Sequence, residues 1–168
     1  MSISESDANE TILYKIILIG DSSVGKTCLF KKMTTGDFSE KLISTIGMDR
    51  KSISFNLTVK DENGVEKEKN FEIQLWETAG QKRFLSITKG YYKDSQTFLY
   101  NLTNKDIFDN LDIWINGVRQ SLGTDKKEKN KYIIVLLGNK LYLAYENPDY
   151  RKVTEEEALT KCKEFDII

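Results

Sequence analysis

Gly20-Asp21-Ser22-Ser23-Val24-Gly25-Lys26-Thr27 has the spacing G-x-x-x-x-G-K-T. Two glycines at that separation permit a tight loop whose N–H groups turn inward on an anion. Lys26 neutralises phosphate charge, and the Thr27 hydroxyl is a hard oxygen suited to Mg²⁺. The apolar run Ile12–Ile19 precedes the loop, and Cys28-Leu29-Phe30-Lys31-Lys32-Met33 follows it at helical spacing. A strand, a glycine loop and a helix therefore succeed one another, and the helix start adds its positive end to the anion site. The residues assigned to phosphate here are Asp21, Ser22, Ser23, Val24, Gly25, Lys26, Thr27 and Cys28. Taken alone, the same residues also read as a plain glycine-rich turn.

Three further stretches extend this chemistry. In Ser44-Thr45-Ile46-Gly47, Thr45 offers a second hydroxyl to Mg²⁺ and to a terminal phosphate, although loop threonines are common. Glu77-Thr78-Ala79-Gly80-Gln81 follows an alternating run, at the strand end where open α/β sheets bind ligands. Glu77 is assigned to the metal through water, Gly80 to the terminal phosphate through its N–H, and Gln81 to the attacking water as the catalytic residue. Asn139 and Lys140, after another apolar run, are assigned to a purine base.

The elements that must position these residues are legible in outline. Ile12–Ile19 is the first strand, and a helix runs from Gly25 to Thr35 with Gly36 at its end. Ser52–Val59 and Phe71–Trp76 alternate polar and apolar residues across the turn signal Asp61-Glu62-Asn63-Gly64, which predicts a hairpin. Thr97–Leu102 and Tyr132–Leu137 are continuous apolar runs, as expected of strands covered on both faces. Phe108, Leu111, Ile115 and Val118 recur at helical spacing and predict a crossover helix. Thr154 with Glu157 reads as the capped start of a last helix. The loops Asp37–Gly47 and Thr124–Lys131 are polar or charged. The whole predicts an α/β chain with a doubly wound, mostly parallel sheet and one antiparallel hairpin strand.

With 168 residues, of which 39% are hydrophobic and 30% charged, one domain with a real core is expected. Residues 1–10 read as a flexible arm, and 11–168 as the domain. A net charge of −1 gives no basic field for nucleic acid or an anionic membrane. The two cysteines, Cys28 and Cys162, suit a reducing compartment without a disulfide. No signal peptide, myristoylation glycine or membrane-length apolar run is read, so a cytoplasmic monomer is expected.

In order, GDSSVGKT, STIG, WETAGQKRF, ITKGYYKD and LGNK resemble the Ras superfamily of small GTPases, most closely its Rab branch. The likeness runs from about Tyr14 to the end and includes Met48-Asp49, Trp76 and Tyr91-Tyr92. It implies the P-loop NTPase fold and a GTP-controlled switch with Mg²⁺ and GTP or GDP as cofactors. It also implies effectors, an exchange factor and an activating protein acting through 42–49 and 80–92, with Phe38 packed on the guanine. Read without the family, Phe38 and Trp76 are equally core aromatics, and Tyr91-Tyr92 a buried pair.

The sequence departs from the family at four places. Glu77 stands for the usual Asp, and Tyr142 for the Asp that reads the guanine edge. Arg50 and Lys82 stand where Phe and Glu are usual. The chain also stops at Ile168, so the family's final edge strand, last helix and prenylated tail are expected to be absent, an apolar sheet face to be exposed and no lipid anchor to be carried. Endomembrane association is then expected only of a longer form with such a tail. Two readings follow: an active switch, and a pseudo-GTPase that binds nucleotide weakly or without selectivity. A generic ATP-binding domain is a third.

Overall fold

The computed structural model describes residues 11–38, 45, 47–81, 100–101, 104–122 and 132–168. The arm at 1–10, most of 42–46, Lys82 to Tyr92, the start of the run at 97 and the charged loop lie outside them. Eleven elements follow in order: β1 (Thr11–Leu18), α1 (Lys26–Thr35), β2 (Met48–Lys60), β3 (Glu66–Thr78), β4 (Tyr100–Asn101), α2 (Lys105–Asp109), α3 (Leu111–Leu122), β5 (Gly138–Asn139), α4 (Leu141–Glu146), a 3₁₀ turn (Pro148–Tyr150) and α5 (Glu155–Phe165).

The predicted hairpin is β2–β3, antiparallel and longer than the alternating core, with Met48 opposite Thr78 and Lys60 opposite Glu66. Its turn is fixed by Asp61, whose Oδ1 accepts from the N–H groups of Asn63 and Val65 at 2.9 and 3.0 Å, while Gly64 takes φ 79°. β1 pairs parallel to β3, giving the order β1-β3-β2, and β4 pairs parallel to β5. Strand periodicity sends neighbouring residues to opposite faces. Leu18 and Leu75 pack with Phe30 of α1 on one face. Ile17 and Ile19 pack with Trp114, Ile115 and Val118 of α3 and Phe165 of α5 on the other.

The structure revises the expected elements in three places. The single crossover helix is two, α2 and α3, parted at Asn110, whose side chain is drawn to Asp21. Strand pairing with β4 falls at Gly138–Asn139, just after the predicted run 132–137, whose Ile134 is nonetheless buried. Helix α4 and its 3₁₀ turn were not predicted. At the last residue, Ile168 donates to the Ile134 carbonyl at 3.0 Å and accepts from the Leu136 N–H at 2.5 Å. The α1 face of the sheet carries an aromatic row. Tyr14, Phe71 and Phe55 form a stacked row with centroids 6.2 and 5.7 Å apart, and Tyr14 and Leu57 on that face are 39% and 48% exposed.

α5 begins as predicted. The Thr154 Oγ1 accepts from the Glu157 N–H at 3.2 Å, and Glu157 Oε2 accepts from the Thr154 N–H at 2.8 Å. Lys105 of α2 donates to Glu157 Oε1 at 2.7 Å, and this bond, with the cap bonds, lowers the Glu157 pKa to about 2 from 4.5. A depressed carboxyl pKa stabilises the fold above the unfolded value and loses that contribution as pH falls through the folded value. The melting temperatures of the wild type and Glu157→Gln should therefore differ at neutral pH and converge between about pH 4.5 and pH 2. The difference should be small, because the pair is exposed.

Candidate functional site

The loop after β1 closes around its own lysine. Lys26 is 6% exposed, and its ammonium donates to the carbonyls of Gly20 at 2.9 Å and Asp21 at 2.7 Å. Burial lowers its pKa from 10.5 to about 8, against the opposing pull of the Glu77 and Asp21 carboxylates. The charge is thus held at neutral pH with incomplete solvation, as an anion-binding group requires. Gly25 supplies the α1 N-cap at φ 99°, and a Cβ there would run into the Asn139 amide.

Gly80 lies against the same loop. A Cβ on Gly80 would fall 2.5 Å from Asp21 C, Ser22 N and Lys26 Nζ. Two of these are backbone atoms and cannot yield. Gly80→Ala should therefore cost about 1–3 kcal/mol by overpacking. A lowered melting temperature and a greater loss of affinity for triphosphate than for diphosphate are the expected readouts.

Three oxygens converge next to the lysine. Thr27 Oγ1 and Thr45 Oγ1 are 2.8 Å apart. Thr45 donates to Glu77 Oε1 at 2.9 Å, and Thr27 donates to the same Oε1. Thr27 comes from the first turn of α1, Thr45 from the loop before β2, and Glu77 from the end of β3, where it is 3% exposed. Two hydroxyls and a carboxylate are hard donors, so the set fits Mg²⁺.

Beside this cluster lies a cleft of about 540 Å³. That volume is in the range of small-molecule sites. Ser22, Ser23, Gly25, Lys26, Thr27, Cys28, Thr45, Gly80 and Gln81 line it, together with Leu29, Lys32, Phe38, Thr78, Asn139, Lys140, Tyr142 and Leu143. All the predicted site residues line the cleft except Asp21, Val24 and Glu77. Glu77 touches it through the two threonines. Val24 is buried, and its carbonyl accepts from Asn139 Nδ2 at 2.8 Å. Asn139 Oδ1 accepts from the Lys140 N–H, so its amide braces the loop from β5. Lys140 takes φ 63° and turns the chain into α4, which sets Tyr142 on the wall, 44% exposed.

The Asp21 side chain is not part of the cleft lining. Its carboxylate accepts from Asn110 Nδ2 at 2.8 Å and Trp114 Nε1 at 2.7 Å. These bonds anchor the loop to the α2–α3 turn and to α3. Sequence reading missed both partners. Trp114 lies on the buried stripe of α3, where its ring counts as core and its N–H needs an acceptor.

The family model described as Ras family matches residues 15–168. The chain belongs to the Ras family. Its relatives lie on the Rab side. Ras-related protein Rab-26 of Rattus norvegicus is 35% identical over 159 residues, covering 93% of this chain and 54% of that protein. Ras-related proteins Rab-19 and Rab-27A of Homo sapiens are each 34% identical, with 69% and 71% of their lengths covered by 99% and 96% of this chain. The chain spans about half the length of the Rab-26 proteins it matches.

Against that Ras-family background, Arg50 gains a physical setting. It sits opposite Trp76 in the β2–β3 register, with its guanidinium 5.3 Å from the Trp76 ring centroid. The Lys15 ammonium lies 4.9 Å from the same ring. Two cations therefore lie within cation–π reach of the indole ring. Among the described residues no helix is long and apolar enough to cross a membrane.

Proposed function

We propose that this chain is a GTP-binding and GTP-hydrolysing switch of the Rab type, acting in intracellular vesicle transport. The observation that carries the reading is the convergence of Thr27, Thr45 and Glu77 oxygens beside the buried Lys26 ammonium. Lys26 and the loop amides from Asp21 to Cys28 hold the phosphates, and the Gly80 N–H faces the terminal one. Thr27 and Thr45 hold Mg²⁺, and Glu77 serves it through water. When bound, the ion neutralises charge on the phosphate oxygens. Gln81, on the cleft wall, orients the water for in-line attack. Phe38, Asn139 and Lys140 flank the base. Intrinsic turnover is slow and depends on an activating protein.

Residues 11–168 are proposed as the GTPase domain, with 1–10 as an arm. Effectors, the exchange factor and the activating protein engage 42–49 and 80–92. The chain works as a cytoplasmic monomer without nucleic acid.

A second reading, a pseudo-GTPase binding module with weak or unselective nucleotide affinity, is favoured by one observation. Among the described residues lining the cleft there is no Asp or Glu. A guanine edge presents N–H donors and needs such an acceptor.

The deciding experiment titrates the chain with fluorescent GDP and Mg²⁺ and competes it with GTP and ATP. Displacement by GTP alone, with turnover abolished in Gln81→Leu, supports the switch. Equal displacement by ATP, or binding without turnover, moves the assignment to the second reading.

A further inference from the structure

Resting on the phosphate reading above, we infer that Asn110 and Trp114 are positioning residues for nucleotide binding: through the Asp21 side chain they hold the Asp21 carbonyl where it receives the Lys26 ammonium. Neither is among the residues lining the cleft. Each carboxylate oxygen of Asp21 has its own donor, Oδ2 the Asn110 amide at 2.8 Å and Oδ1 the Trp114 indole at 2.7 Å. Both bonds are charge-assisted, and two donors on separate oxygens fix the rotation of the carboxylate as well as its reach. The same residue's carbonyl accepts from Lys26 Nζ at 2.7 Å. Asp21 therefore joins the α2–α3 turn to the phosphate-binding lysine.

Both donors stand on fixed mounts. Trp114 is 4% exposed, and its ring packs in the core with Ile17, Ile19 and Val118. The Asn110 N–H donates to the Asp106 carbonyl at 3.1 Å, and its carbonyl accepts from the Ile113 N–H at 3.1 Å. The loop itself has less to hold it. Gly20, at φ 146°, leaves the backbone just before Asp21 free to turn. The Asp21 peptide is thus set by its side-chain partners and by the close approach of Gly80. A carbonyl displaced by about 1 Å would draw the ammonium off the phosphate position, and an error of that size can cost about a hundredfold.

The test exchanges the two partners in the full chain and titrates fluorescent GDP at fixed Mg²⁺. Asp21→Asn or Asn110→Asp alone leaves one contact facing like against like. With both changes together, the amide at 21 donates to the carboxylate at 110 and its oxygen still accepts from Trp114. Each single variant should bind GDP about ten- to a hundredfold more weakly, and the double variant more tightly than either. Trp114→Phe, which keeps a ring in the core and removes the N–H, should also weaken binding and decides the matter if the exchanged variants do not fold. Melting curves without nucleotide establish folding of each protein. In a Lys26→Ala background Asn110→Asp should cost much less than in the wild type, because the carbonyl it displaces no longer holds an ammonium. A residue that only supports the fold would cost the same in both. Unchanged affinity in a folded single variant, a double variant no tighter than the singles, or equal losses with and without Lys26 would overturn the positioning role and leave the nucleotide reading intact. A wild type that binds no GDP would overturn both.

Discussion

Lys26→Ala is expected to weaken GDP binding by about two to four orders of magnitude while leaving the protein folded. Hydrogen bonds to a charged group are worth about 1.5–3 kcal/mol each, and loss of two corresponds to that range. The geometry says why so much rests on one side chain. Lys26 is 6% exposed, and its ammonium has two carbonyl partners, Gly20 and Asp21. Burial has already lowered its pKa to about 8, so the charged form is poorly solvated. A phosphate supplies the counter-charge that water no longer provides. In a low-dielectric cradle that exchange counts for more than in solution. Alanine removes the charge and also frees the two carbonyls to rotate toward the anion, where they would repel it. The check is a fluorescent-GDP titration at fixed Mg²⁺, with thermal melting as the control for folding. A variant within tenfold of the wild type would mean that the loop amides and the α1 terminus hold the phosphates without the lysine.

The glycine-loop part of the candidate site was legible because its residues, Gly20 to Thr27, are contiguous. The φ of Gly25 and the burial of Lys26 follow from the loop they form. Glu77 was placed at the end of a predicted strand and Thr45 in the loop after α1, and the β2–β3 register, with Met48 opposite Thr78, brings the two together. The alternating residues of β2 and β3 also gave the hairpin, though not its full length. What escaped was long-range. Nothing near Asp21 in sequence shows that its carboxylate would be claimed by Asn110 and Trp114, which stand 89 and 93 residues away. The assignment of Asn139 to a base could not foresee that its amide would be spent on Val24. Helix α4 was missed because it has only six residues and starts from Lys140 in a left-handed conformation, so no N-cap residue marks it. The short ladder at Gly138–Asn139 escaped because glycine and asparagine lack strand character. The conformation of their neighbours and the partner strand β4 decide the pairing.

Tyr142→Asp is expected to raise the preference for GDP over ADP by about two to four orders of magnitude. The position is the second residue of α4, reached directly from Lys140, and its side chain lines the cleft with Phe38 and Leu143. As tyrosine it presents one hydroxyl, which can donate or accept but carries no charge near neutral pH. A guanine edge offers two N–H donors on one side, and a carboxylate can accept both. Each such bond is worth about 1.5–3 kcal/mol, and adenine, with an acceptor where guanine has N1–H, cannot make the pair. The new charge would also sit on the first turn of a helix and beside the Lys140 backbone turn, both favourable to an anion. Affinity for ADP should stay level or fall, since the stacking surface of the tyrosine ring is lost. Competition of fluorescent GDP by GDP and ADP, in the wild type and the variant, measures the ratio directly. An unchanged ratio would show that base identity is read elsewhere on the wall, and the cause would then lie with the groups around Lys32 and Phe38. A large gain would show that the phosphate half of this cleft is competent as it stands, and that the missing carboxylate at position 142 is what limits selectivity.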